Sequence, residues 1–159
     1  MKIKFPDIFG NIHEIDESKA LNKTRVYGIC IQGDQILLVK DESKMWDFPG
    51  GGVEEGETEK EALRREFLEE TGLTIASDIN LLKRFDEHFY AYDLKEAWKS
   101  DRQFYLVTKV KGDILKGGND SDTLEAKFFP LDKTDSDQIK PKVRVIIGEV
   151  IGETRSTHL

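Results

Sequence analysis

Apolar and polar positions alternate in short blocks along most of the chain. Residues 3–5 and 12–15 read as extended pieces around a Gly10-Asn11 turn, and residues 26–31 and 36–39 as a hairpin turning at Gly33-Asp34. Residues 79–92 and 104–110 also read as strands, with the polar stretch 93–102 between them expected to be a loop or short helix around Trp98. Residues 124–129 predict a short strand ended by Pro130, after a flexible Gly117-Gly118-Asn119-Asp120 loop. The closing segment changes period: Val143, Ile146, Ile147, Val150 and Ile151 recur at i, i+3, i+4, i+7 and i+8, one buried helical face, with Pro141 suited to its first turn. Strands around two main helices predict an α+β fold in which helices cover a mixed sheet.

The second helix is predicted between Thr58, an N-cap with Glu61 three residues on, and Gly72, a left-handed stop. At about 100° per residue, Glu66, Glu69 and Glu70 fall within an arc of about 100°, beside Leu63 and Phe67, which anchor the helix to the core. A solvated acidic face is the ordinary reading of such a helix, and two features count against it. Glu69 and Glu70 stand in the last turn, where the helix dipole disfavours negative charge. Glu66 also repels both at i+3 and i+4. A divalent cation would relieve both penalties, and oxygen-only ligands favour Mg²⁺ or Mn²⁺ over Zn²⁺. Arg65 points toward the preceding loop, with Glu57 or Glu61 as partner, whereas Arg64 reads as a surface charge. Before the helix, Gly50-Gly51-Gly52 after Pro49 suits a backbone that approaches a ligand or offers a carbonyl to a metal.

Composition narrows the classes. The 159 residues fit one domain, residues 1–159, and 38% hydrophobic content suffices for a core. A net charge of −7 counts against a non-specific binder of nucleic-acid duplexes, but not against a phosphate substrate, because cations reverse the local sign. The single cysteine, Cys30, excludes an internal disulfide and reads as a small core residue. There is no apolar run long enough for a signal peptide or membrane span, so a soluble, cytoplasmic protein without a membrane partner is expected.

The segment 51–73 resembles the Nudix box, G-x5-E-x7-R-E-U-x-E-E-x-G-U with U a bulky apolar residue. Its fixed positions are filled by Gly51, Glu57, Arg65, Glu66, Phe67, Glu69, Glu70, Gly72 and Leu73 without insertion. The preceding Trp46-Asp47-Phe48-Pro49-Gly50 is similar to the family's approach to the box. The resemblance implies a Nudix fold, an α/β/α sandwich around a mixed sheet. It implies a MutT-like pyrophosphatase, a Mg²⁺- or Mn²⁺-dependent hydrolase of a nucleoside diphosphate linked to another moiety. Carried over, Glu66, Glu69 and Glu70 would bind metal with the carbonyl of Gly51 or Gly50. Glu66 or Glu69 would take the proton of the attacking water, and Glu57 with Arg65 would form a supporting pair.

Family members often add a carboxylate from beyond the box; Glu125 is the candidate, with Asp120 and Asp122 as competitors. Phe48, Tyr90 and Trp98 are candidate substrate-binding aromatics, together with Phe89. His13, His88 and His158 have no ligand spacing to one another. Family members are often homodimers, but no segment specifies an interface. Two other readings are a non-catalytic Nudix-type nucleotide sensor, which usually lacks box carboxylates, and an acidic interaction module, which would ignore Mg²⁺.

Overall fold

Alternating side chains on two long strands divide the core between two helices. In the computed structural model, which describes residues 1–41, 43–115 and 123–157, β1 (Lys2–Pro6) and β2 (Ile12–Asp16) form the first hairpin, and β3 (Leu21–Gln32) and β4 (Gln35–Asp41) the second. Short strands β5 (Trp46–Asp47) and β6 (Gly50–Gly52) lead into α1 (Glu59–Thr71) and β7 (Thr74–Ile75). A long hairpin, β8 (Ile79–Ala91) and β9 (Glu96–Val107), precedes β10 (Val110–Lys111), β11 (Thr123–Pro130) and α2 (Pro141–Thr157).

The central sheet runs β11-β4-β3-β9-β8, with β5 added to β4 and β6 to β3. β3 and β9 pair in parallel and the other strand pairs of this sheet are antiparallel among the described residues, so the sheet is mixed. Val26, Cys30 and Leu37 turn to one face and pack with Leu63 and Phe67 of α1. Tyr27, Ile29, Ile36 and Leu38 turn to the other and pack with Val143, Ile146 and Ile147 of α2. The expected sandwich and both helical faces are therefore present. Cys30 is fully buried, and burial pushes its thiol up to about 11.

α1 ends where its caps require. Thr58 Oγ1 accepts from the Glu61 N–H at 3.1 Å, and Gly72 closes the helix at φ 81°. Thr58→Ala is expected to cost about 1 kcal/mol of folding stability, read as a lower urea midpoint with an unchanged slope. Arg64 is not a free surface charge: it donates to the carbonyls of Ile75 at 3.0 Å and Ser77 at 2.9 Å, tying α1 to β7.

The stretch 93–102 departs from expectation. It turns at 92–95 and is strand from Glu96 onward. Its polar residues hide the alternation, because cross-strand ion pairs such as Arg84–Asp101 and Arg102–Glu87 satisfy them within the hairpin. The Gly117–Asp120 loop lies outside the described residues. No helix among the described residues is long and apolar enough to cross a membrane.

β3 has two partners on one edge. β4 pairs with it only at Ile31 and Gln32 and then diverges, and β6 takes over at Arg25, Val26 and Tyr27. The sheet splits there, and the split opens the cavity described next.

Candidate active site

A cavity of about 640 Å³ lies in this split. Its floor is the glycine strand β6 and the α1 carboxylates Glu66 and Glu70; its far wall is the face of β9 and β8. Gly51 is what lets the helix approach. A Cβ built there would lie 2.6 Å from Glu66 Cδ, so only glycine leaves room for that carboxylate. Gly50 adopts φ 157°, and a Cβ there would meet the Val26 carbonyl oxygen at 2.0 Å.

Arg65 organises the loop before α1. Its guanidinium grips Glu57 with two bonds, Nε to Oε2 at 2.7 Å and Nη2 to Oε1 at 3.0 Å. It also donates to Glu66 Oε1 at 3.0 Å, Glu69 Oε2 at 3.4 Å and the Gly52 carbonyl at 3.2 Å. Glu57 accepts the Glu54 N–H as well, and these bonds, led by Arg65, hold its carboxyl down at about 2. Of the two partners the sequence offered Arg65, the structure takes Glu57 and not Glu61.

Glu70 is the least comfortable group in the site. It is 9% exposed, receives the Gly50 N–H at 3.3 Å, and shares a hydrogen bond with Glu66. Burial, and then the negative charge of Glu66, push it up to about 9. Burial raises Glu66 too, against the pull of Arg65. The oxygen-only donor set of Glu66 and Glu70 fits a divalent ion. Glu69 stands next to this pair but turns to Arg65, with its side chain 44% exposed. Among the described residues no three acidic, histidine or cysteine side chains close on one point. Of the three box carboxylates expected to bind metal, Glu66 and Glu70 line the cavity, and Glu69, paired with Arg65, is not among the residues lining it.

The raised Glu70 has a consequence for stability. Above pH 4.5 the unfolded carboxyl ionises while the folded one keeps its proton, so the folded state loses stability as pH rises toward about 9. Thermal melts in EDTA are expected to fall over that window more steeply than those of Glu70→Gln, and excess Mn²⁺ is expected to flatten the difference.

Other expected residues divide. Trp98 lines the cavity and donates from its indole to Glu96 at 2.8 Å, and Phe48 lines it as a buried wall rather than an open platform. Tyr90 does not reach it. Strand alternation sends Tyr90 to the opposite face, where it stacks on His13 at 3.8 Å and pins the β1–β2 hairpin, while Phe89 faces the cavity. Glu125 is exposed on edge strand β11, paired in register with Lys40, and is not among the residues lining the cavity. Asp120 and Asp122 lie outside the described residues.

The sequence reading missed the cations. Arg25 donates to the Tyr27 hydroxyl at 2.9 Å, and Arg102 lies 4.8 Å over the Tyr27 ring with its Nε buried and without a hydrogen-bond partner. Lys140 bridges Asp41 of β4 at 2.7 Å and Asp47 of β5 at 3.0 Å and lines the cavity. Arg25 was legible as the charge opening an apolar strand. Arg102 was hidden in the stretch read as a loop.

The NUDIX domain family matches residues 22–147. The chain belongs to the NUDIX family. Among curated relatives it is 44% identical over 54 residues to an RNA pyrophosphohydrolase of Bartonella bacilliformis, covering 34% of this chain and 29% of that protein. It is 36% identical over 97 residues to an 8-oxo-dGTP diphosphatase of Buchnera aphidicola subsp. Schizaphis graminum, covering 56% of this chain and 65% of that one. The chain thus aligns with less than two thirds of either relative. The crystal structure of a MutT NUDIX hydrolase from Burkholderia pseudomallei superimposes with a TM-score of 0.68 at 23% identity, covering 82% of this chain and 98% of that one, a likeness of fold.

Proposed function

We propose that this Nudix-family chain hydrolyses the pyrophosphate linkage of a nucleoside diphosphate joined to another moiety, using Mg²⁺ or Mn²⁺. The observation that carries this reading is the pair of buried Glu70 and half-buried Glu66 on a glycine floor, lining one cavity with Arg25 and Arg102. Glu66 and Glu70 would hold the ion with a Gly51 or Gly50 carbonyl, and Glu69 would join them. When bound, the ion neutralises the phosphates and lowers the pKa of water.

The chain's own groups supply the rest. Arg25 and Arg102 bind phosphate oxygens and orient the linkage. Glu66 or Glu69 accepts the proton as the water oxygen bonds to phosphorus. The bridging P–O bond breaks, and its electron pair leaves with the departing phosphate oxygen. The Arg65–Glu57 pair is a positioning device, because it fixes the Glu66 carboxylate and the loop beneath the substrate.

A hydrolysis screen with nucleoside triphosphates, ADP-ribose, dinucleoside polyphosphates, nucleotide sugars and NADH tests the reading. Cleavage at the pyrophosphate that stops in EDTA and returns with Mg²⁺ or Mn²⁺ is expected. Metal-independent turnover, or none on any of them, contradicts it. The pH–rate profile then separates the two candidate bases. Whichever of Glu66→Gln and Glu69→Gln removes the acidic limb identifies the proton acceptor.

A further inference from the structure

The β8–β9 wall carries a longer pattern, of which the hydrolysis reading uses Arg102 alone. Side chains two apart share a face, and the register aligns three rungs across the hairpin: Phe89 with Trp98, Glu87 with Ser100, and Phe85 with Arg102. Five of these six side chains line the cavity, and Phe85 lies under the Arg102 guanidinium at 5.8 Å. Arg25 extends the third rung, since it is the register partner of Arg102 on one side and of Gly52 on the other. The guanidinium rung therefore adjoins the glycine–carboxylate floor, and the aromatic rung is farthest from it.

Successive rungs are about 6.6 Å apart along the strand, so the aromatic and guanidinium rungs are separated by about 13 Å. An aromatic, then a carboxylate with a hydroxyl, then two guanidinium groups follow the order of a base, a ribose and a phosphate. We propose that this ladder binds a ribonucleotide and that Glu87 reads the ribose hydroxyls. The proposal rests on the nucleotide reading of the same cavity and goes beyond it by naming the sugar.

The chemistry of the middle rung selects the sugar. A carboxylate repels a phosphate and accepts from hydroxyls. Glu87 uses Oε2 for Arg102 at 2.8 Å and Oε1 for Lys142, which leaves further acceptor positions of its roughly four on a side chain that lines the cavity. Ser100, buried on the same rung, adds a hydroxyl that can donate or accept. The Arg102 and Lys142 pairs fix the carboxylate in place before a ligand arrives. On the outer rung, Trp98 is held by its bond to Glu96 and covered by the Lys23 ammonium at 5.3 Å, a rigid face for a base of any identity.

Calorimetric titration with ADP and with 2′,3′-dideoxy-ADP, in Ca²⁺ buffer, tests the assignment. Wild type is expected to bind ADP about tenfold or more tightly, the worth of one hydrogen bond to a charged acceptor. Glu87→Gln is expected to bring the ratio to about threefold or less. Trp98→Ala is expected to weaken both ligands and leave the ratio standing. A structural role for Glu87 would weaken both ligands alike and keep the ratio. Equal binding by wild type, an unchanged ratio in Glu87→Gln, or no binding of either ligand overturns the proposal. The assay needs no turnover. A hydroxyl-dependent ratio in a protein that hydrolyses nothing would sink the enzyme reading alone, and hydrolysis with a flat ratio would sink the ladder alone.

Discussion

Glu66→Gln is expected to lower kcat by about a thousandfold on any cleaved substrate, within the range for loss of a positioned carboxylate in proton transfer or charge stabilisation. The side chain lies at the centre of the site: it shares a hydrogen bond with Glu70, accepts from Arg65 at 3.0 Å, and faces Gly51. Glutamine keeps the shape and removes the charge. Burial already disfavours the ionised form at this position, so the metal-free variant should fold at least as stably as wild type near neutral pH. Steady-state kinetics beside a thermal melt checks both halves. A variant that retains wild-type kcat would remove Glu66 from the chemistry, and one that fails to fold would make the carboxylate structural.

Gly51→Ala is expected to separate activity from stability more sharply. The added methyl would sit 2.6 Å from Glu66 Cδ and 2.7 Å from its Oε1, closer than atoms can approach. What must yield is the end of a flexible side chain and not backbone, so the fold should lose about 1 kcal/mol or less. The carboxylate, however, is driven out of its place, and a displacement of about 1 Å can cost about a hundredfold in rate. Folded protein with kcat reduced by about a hundredfold is the expected outcome. Gly52→Ala is the control, because nothing lies within 4 Å of a Cβ at that position. Equal losses in the two variants would show that the glycine run serves the loop rather than the carboxylate.

The sequence made some features legible and hid others for physical reasons. α1 was readable to its caps because Thr58 and Gly72 act locally, through a side-chain bond and a left-handed backbone. The β3–β4 hairpin was readable because its apolar runs flank a local turn at Gly33-Asp34, whereas which helix each face of β3 meets came from the packing. The polar half of β9 was not, since its alternation is written in ion pairs that exist only once β8 lies alongside. The same gap concealed Arg102. Tyr90 shows the cost of a one-residue step: position near the site was right, but alternation gives the cavity to Phe89. Spacing on a helix placed Glu66, Glu69 and Glu70 on one arc, yet Glu69 pairs with Arg65 and is not among the residues lining the cavity.

Mn²⁺ titration of wild type against the double variant Glu66→Gln/Glu70→Gln tests the central claim most directly, namely that the buried carboxylate pair on the glycine floor is a divalent-cation site. Wild type is expected to bind, and the double variant, folded as judged by its melt, to bind at least about a hundredfold more weakly, two charged ligands having been lost. Equal Mn²⁺ affinity in the two proteins would contradict the account.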